Sequence, residues 1–242
     1  MRGMIRAFVA AVVVMVSSAV PAAAASASYG EYSLMFGRNA GQVWSGDQAA
    51  SQWAWKPLGP NESEISWGSP AAWPPGGGEH FVKDGDWVLL NGYFDHTNNA
   101  FNTQRVTAEY IGDANCQNLK PIESNGGRQH YVRWTIPATG YCLKATGTIT
   151  VGANGVVVRF QHDQIWSPPA PCSNQYFGAQ TCIKQRERWS DDNGHPFSLS
   201  LERDQYIAKG LGMAFKIDHF FDRKWPAGHP AWHAALRYAW TW

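Results

Sequence analysis

The chain has 242 residues, a formal net charge of +1 and 16 % charged residues. A chain so close to neutral lacks the basic surface that binds nucleic acid, and no run of lysines favours an anionic membrane. The outstanding feature is the content of 13 tryptophans.

Residues 1–27 have the pattern of a signal peptide. A short segment with two arginines precedes an apolar core at Ala7–Val16, which is too short to span a bilayer as a helix. The small residues Ala25–Ala27 then fit a cleavage site before Ser28. We therefore expect a secreted, extracellular protein, with an N-terminal membrane anchor as the alternative.

Residues 28–79 are rich in Trp, Pro and Gly and show little strand pattern. We expect this segment to be an extension that packs on the core of the protein. Its tryptophans stand among polar and turn residues; they are Trp44, Trp53, Trp55, Trp67 and Trp73. An indole offers a flat apolar face and one N–H donor, which suits a pyranose ring. These five residues are the predicted ligand-binding residues, and the alternative is that they cover the core.

Residues 80–242 contain short β-branched and aromatic segments, and several alternate between apolar and polar residues. Asp84-Gly85 and Asn154-Gly155 lie between such segments and suit hairpin turns. The pattern predicts an all-β domain, an antiparallel β-sandwich of jelly-roll-like form, with a β-barrel as the alternative.

Four cysteines lie after the signal peptide. In an exported chain an even number of cysteines indicates disulfides, and three pairings are possible. We expect Cys116–Cys142 and Cys172–Cys182, because pairing in sequence order closes short loops within neighbouring hairpins. The chain has no CxxC pair, which disfavours zinc, so no metal site is predicted at the cysteines.

Hydrolysis of a glycosidic bond needs two facing carboxyl groups. The candidates in the strand-like regions are Glu109, Asp163, Glu187, Glu202, Asp204, Asp218 and Asp222. Glu202 and Asp204 share one face of an extended strand, with side chains ~6–7 Å apart. They are the candidate catalytic pair, and two solvated acids at a strand end are the alternative.

Metal sites are weakly indicated elsewhere. His229 and His233 would share a helix face, but the segment also fits a strand, and hydrogen-bonded histidines without metal are expected. The stretch Asp191–Gly194 offers oxygens for a structural Ca²⁺, but an Asn-Gly turn without an ion explains it better. No cofactor is predicted.

The C-terminal segment from Trp232 alternates over eleven residues, with Trp, Ala, Leu and Tyr at the even positions. This period favours a strand, although its alanines would also suit a helix. A terminal aromatic after alternating apolar residues also resembles the last strand of outer-membrane barrels.

Three functions follow from these patterns. The first is a secreted, monomeric β-sandwich that binds extracellular polysaccharide or a cell-surface glycan through loop tryptophans, without turnover. The second is a secreted polysaccharide hydrolase or lyase that uses a carboxylate pair. The third is an outer-membrane β-barrel or envelope protein. Neither nucleic acid nor a membrane is an expected partner of the first two.

Overall fold

A computed structural model gives the structure of the protein. It describes residues 25–36, 40–46, 51–68, 77–95, 100–123, 125–152, 154–174, 176–220 and 232–241. Residues 1–24 of the predicted signal peptide, Trp73 and His229 lie outside these ranges. Within the described ranges, no helix has the length and hydropathy needed to cross a membrane.

The described residues form strands almost throughout, with one turn of 3₁₀ helix at Tyr29–Glu31. The strands are β1 (Ala27–Ser28), β2 (Ala40–Gly46), β3 (Ser51–Gly59), β4 (Glu62–Gly68), β5 (Gly77–Asp84), β6 (Trp87–Asp95), β7 (Ala100–Gly112), β8 (Lys120–Pro121), β9 (Gln129–Arg133), β10 (Thr135–Ile136), β11 (Tyr141–Thr150), β12 (Val157–Asn174), β13 (Gly178–Asp191), β14 (Ser198–Ala208), β15 (Gly212–Phe220) and β16 (Trp232–Thr241). The predicted all-β class is confirmed, and the C-terminal segment is a strand, as its period-two pattern predicts.

Strand pairing is antiparallel, and most strands pair with their neighbours in the chain. The large sheet runs in the order β8-β7-β11-β12-β13-β14-β15-β16-β2-β3-β4-β5-β6-β9. This order is that of a meander rather than of a jelly roll. The first part of β6 pairs with β9 and its last part with β7, so the sheet curls round a common interior.

The two flanks of the sheet face each other across this interior. Apolar side chains of β3–β6 and β9 pack against those of β11–β14 in one core cluster. Phe81 on β5 contacts Tyr131 on β9, with ring centroids 4.9 Å apart, and Tyr131 in turn contacts Trp166 on β12 at 5.8 Å. This is the two-layer packing of the predicted sandwich, and it encloses both apolar and polar groups.

The segment between residues 28 and 79 contains strands, although its sequence shows little strand pattern. This segment contributes β2, β3 and β4. Strand β4 pairs with β5, which spans the predicted boundary at residue 79, and Ile65 is the register partner of Glu79. The sequence pattern does not predict these strands, because Gly, Ser and Pro interrupt the usual succession of β-branched residues. Pairing with neighbouring strands on both sides supplies the hydrogen bonds that override this weak local preference.

The residues on both sides of the predicted cleavage site cover one side of the core. Ala27 and Ser28 pair with β10, and Tyr29 is buried against Trp166. The backbone N–H of Gly210 donates to the carbonyl of Glu31 at 2.8 Å. The N-terminal segment is therefore fixed to both flanks, and its side chains reach the interior.

Both predicted disulfides are confirmed. Cys116 bonds to Cys142, and Cys172 bonds to Cys182. The second bridge links β12 to β13. Cys172 is the register partner of Gln180, two residues from Cys182, as expected for cysteines in one hairpin. Two disulfides in a chain with no described free cysteine indicate an oxidising, extracellular-type environment.

Candidate functional site: an internal cavity

The interior contains a partly open cavity of about 530 Å³. This volume lies within the range of small-molecule sites, which is roughly 300–1,000 Å³. Its walls come from β3–β7, β9 and β11–β15, and from the N-terminal segment. Aromatic side chains line it at Tyr29, Trp55, Tyr93, Tyr131 and Trp189. Polar side chains line it at Glu79, Asn102, His162, Glu187, Arg203 and Gln205.

Glu187 is the best-connected carboxylate of the cavity. It lies on β13 and is 5 % exposed. Arg203 donates to its Oε1 at 3.0 Å, while Gln185 donates to Oε2 at 3.3 Å. His162 Nε2 lies 3.2 Å from the same Oε2. Because donors reach both oxygens, the negative charge of this buried carboxylate is compensated.

His162 is oriented by a chain of glutamines. Gln104 donates to Oε1 of Gln129 at 2.5 Å, which turns the amide N–H₂ of Gln129 toward His162. That amide donates to His162 Nδ1 at 2.8 Å. In the neutral ring the proton is then on Nε2, and it is donated to Glu187. The sequence expectation that the histidines form ordinary hydrogen bonds is met at this residue.

A second set of glutamines fixes the wall beside Glu187. Gln205 donates to Gln185 at 2.9 Å, and Gln185 donates to Gln164 at 2.9 Å. The indole of Trp166 also donates to Gln164, at 3.1 Å, and the hydroxyl of Tyr131 donates to Gln185 at 3.2 Å. These side chains are buried and satisfied, so this part of the wall is preorganised.

Glu79 is a carboxyl group of a different kind. Glu79 lies on β5 and is half-buried at the cavity wall. Its side-chain carboxyl makes no hydrogen bond or ion pair within the described residues. Burial, reinforced by the negative charge of Glu187, raises the pKa of Glu79 to about 7, although Arg203 and Lys216 act in the opposite direction. A fraction of Glu79 is therefore a neutral acid at neutral pH.

This raised pKa gives a testable pH dependence. The pKa of Glu79 rises from 4.5 to about 7 on folding, so its favourable contribution is complete below pH 4.5 and is lost as the pH rises through 7. At pH 8 we expect Glu79→Gln to be more stable than the wild type, by on the order of 2 kcal/mol. At pH 4 the two proteins should have equal stability.

Urea unfolding at both pH values measures the difference. Glu202→Gln, on the outer face, is the matched control and should show no comparable dependence on pH. An equal effect of Glu79→Gln at pH 4 and pH 8 would contradict the burial of an ionisable group at this position.

The predicted calcium stretch contributes Asp191 and Asn193 to the cavity lining, and its carboxylates are bound by protein donors. Asp191 accepts from the indole of Trp189 at 2.9 Å and lies 3.2 Å from His195 Nε2. Asp192 accepts from Arg159 at 2.7 Å. These contacts hold the turn after β13. Across the described part of the chain, no group of three or more His, Cys, Asp or Glu side chains is placed to hold a metal.

The predicted aromatic ligand residues are distributed differently from the expectation. Trp55 is not exposed on a loop: it lies in β3, is 4 % exposed and lines the cavity. Alternation along β3 puts this residue on the inner face of the sheet, where it joins the core cluster. Trp44, Trp53 and Trp67 lie in β2, β3 and β4, and their side chains are outside the described set.

The predicted carboxylate pair lies on the outer face of β14. Glu202 is paired with Arg188 at 2.9 Å, and Asp204 with Arg186 at 2.9 Å and Lys184 at 2.8 Å. Burial raises the pKa of Asp204, but the hydrogen bonds from Arg186 and Lys184 outweigh it and hold that pKa below its ordinary value. The structure thus places both groups in surface ion pairs, outside the cavity.

Sequence reasoning missed Glu79 and Arg203 as site residues, and it gave Glu187 no special weight. The alternation of side chains along β5 and β14 contains a signal for each of these two residues. In β5 the period of two puts Glu79 on the same face as the buried Phe81, and in β14 it puts Arg203 on the face of Ile207. A charged residue in register with core residues is the pattern that marks an interior polar site.

The chain matches no protein-family model, no curated protein and no solved structure. The fold and the cavity define the class to which it belongs. It is a disulfide-bonded, all-β, antiparallel protein with an internal cavity that combines aromatic walls with buried carboxylates.

Proposed function

We propose that the protein is secreted and binds a saccharide unit in its internal cavity. The observation that supports this proposal is the combination of aromatic walls with fixed hydrogen-bonding groups in one space of about 530 Å³. A pyranose presents an apolar C–H face and a rim of hydroxyl groups. Aromatic rings match the first and carboxylate, amide and guanidinium groups match the second.

The chemistry of the wall disfavours a purely apolar ligand. Such a ligand would leave Glu79, Asn102 and Arg203 without hydrogen bonds to water, which costs free energy for each group. A saccharide replaces those lost hydrogen bonds with its hydroxyl groups. The balance of aromatic and polar groups therefore favours an amphipathic, hydroxylated ligand.

The size of the cavity limits how many sugar units of a polysaccharide can bind at once. A space of this volume holds a mono- or disaccharide, so an extracellular polymer would enter by a chain end. The aromatic contacts proposed here are Tyr93 and Trp189, whose ring centroids lie 6.3 Å apart, rather than tryptophans on exposed loops.

The test is isothermal titration calorimetry of the mature protein with glucose, galactose, N-acetylglucosamine, maltose and cellobiose. We expect one or more of these sugars to bind, and Trp189→Ala to weaken that binding at least tenfold through loss of one cavity wall. Trp134→Ala is the matched control, because Trp134 is also partly buried but is not among the residues that line the cavity.

Thermal unfolding of both variants shows that the comparison is made between folded proteins. Absence of binding across the panel would reject saccharide recognition. Equal binding by wild type and Trp189→Ala would place the ligand somewhere other than the cavity.

A further inference from the structure

We propose that the cavity also hydrolyses the glycosidic bond of its bound saccharide, with Glu79 as the general acid and Glu187 as the nucleophile. This inference rests on the saccharide binding proposed above. It concerns two carboxyl groups that line one cavity but have opposite environments.

Glu187 is surrounded by hydrogen-bond donors. The guanidinium of Arg203 and the N–H groups of Gln185 and His162 all lie within 3.3 Å of its oxygens. Donors of this kind favour the charged form of the group. They also hold its oxygens in fixed positions, which is required of a group that attacks one atom of a bound substrate.

Glu79 has the surroundings of a neutral acid. Its carboxyl is half-buried and has no donor among the described residues, in contrast to Glu187. A proton on this group is favoured by burial and by the nearby negative charge. Two titratable groups whose environments separate their protonation states are the usual arrangement for acid and nucleophile in glycoside hydrolysis.

Strand register places the two carboxyl groups in one region of the cavity. Tyr93 is the register partner of Glu79 between β5 and β6. Trp189 lies two residues after Glu187, on the same face of β13. Tyr93 also lines the cavity and packs edge-to-face on Trp189, so the aromatic wall and the carboxyl groups adjoin the same space.

The reaction balances with water as the only co-reactant. A carboxylate oxygen of Glu187 attacks the anomeric carbon, and the glycosidic C–O bond breaks as Glu79 transfers its proton to the leaving oxygen. The product is a glycosyl ester of Glu187 and a free alcohol. Glu79, now ionised, takes a proton from water, whose oxygen attacks the anomeric carbon and releases the Glu187 carboxylate with the second sugar.

The candidate pair on the outer face does not compete with this assignment. Glu202 and Asp204 form ion pairs with arginine and lysine, and neither residue lines the cavity. His162 is likewise committed, since Gln129 and Glu187 occupy its two nitrogens. Its role in the proposed reaction is to position Glu187.

The first experiment measures release of 4-nitrophenol from 4-nitrophenyl glycosides and of monosaccharide from the matching disaccharides. We expect wild-type turnover of a sugar that binds in calorimetry. Glu79→Gln should lose about 10²–10⁴-fold in kcat on the disaccharide, where the leaving group needs a proton. The loss should be much smaller on the 4-nitrophenyl glycoside, whose leaving group does not.

Two further measurements separate the possible failures. Glu79→Gln should still bind the disaccharide, and Glu202→Gln should retain full turnover as the matched control. A 2-deoxy-2-fluoro glycoside with an activated leaving group should label the wild type once, on the peptide that contains Glu187. Labelling needs no Glu187 variant, so it remains informative if Glu187→Gln does not fold.

Binding without turnover by the wild type would overturn the hydrolysis while leaving the binding function intact. Full disaccharide turnover by Glu79→Gln, or labelling of another peptide, would overturn the residue assignment. Absence of any saccharide binding would reject both proposals together.

Discussion

Replacing Trp166 by alanine is expected to lower the free energy of unfolding by about 3–5 kcal/mol, because it removes a large side chain from the centre of the core. Trp166 is 0 % exposed and joins the two flanks of the sheet. Its ring meets Tyr29 and Tyr131 edge-to-face, with centroids 5.7 and 5.8 Å away. Urea unfolding followed by far-ultraviolet circular dichroism measures the loss.

Two variants separate the causes of this loss. Trp166→Phe keeps most of the apolar volume but removes the indole N–H, which donates to the Tyr131 carbonyl at 3.0 Å and to Gln164 at 3.1 Å. Its cost should be smaller, about 1–3 kcal/mol. Tyr110→Ala, at an exposed position of β7, should change stability by less than about 0.5 kcal/mol. Similar costs for Trp166→Ala and Tyr110→Ala would show that the flanks do not pack through Trp166.

Replacing Arg203 by methionine is expected to cost about 3 kcal/mol at pH 7, because Glu187 keeps a buried charge without its guanidinium partner. The side chain of Arg203 is only 18 % exposed, so water replaces little of the lost interaction. The deficit should shrink at pH 5, where protonation of carboxyl groups becomes easier and removes the buried charge.

The double variant Arg203→Met/Glu187→Gln should recover most of this stability, since it removes the charge that Arg203 compensates. Arg186→Met is the matched control one strand away. Arg186 pairs with Asp204 on the outer face, its side chain is 57 % exposed, and its loss should cost less than about 1 kcal/mol. Equal costs for Arg203→Met and Arg186→Met, by urea unfolding, would contradict a buried Arg203–Glu187 pair.

The interior ion pair Arg203–Glu187 and the outer ion pair Arg186–Asp204 also show how far strand periodicity predicts a site. In β14, alternation separates Glu202 and Asp204 from Arg203 and Gln205, and this separation is correct. Both sets are polar, however, so the pattern alone does not say which set faces inward. That choice depends on the partners: Arg203 donates to Glu187, its register partner on β13, while Asp204 accepts from Arg186 and Lys184 on the outer side.

The segment before residue 79 illustrates the opposite case. Gly, Ser and Pro surround its tryptophans and favour loops there, yet β2–β4 are hydrogen-bonded between β16 and β5. Strand formation here depends on pairing with segments distant in sequence, such as β16 with β2. Local composition contains no information about such a partner, so neither these strands nor the burial of Trp55 followed from it.

The sequence by itself predicted the all-β antiparallel class, and it favoured the strand at the C-terminus and the two disulfides that the structure contains. Period-two alternation, hairpin turn residues and short cysteine loops are local properties, and local properties can be recognised along the chain. Only the tertiary structure decided that Glu79, His162, Glu187 and Arg203 converge on one cavity. These residues lie on four strands, and their approach depends on the long-range pairing and register that bring β5 and β6 opposite β12–β14.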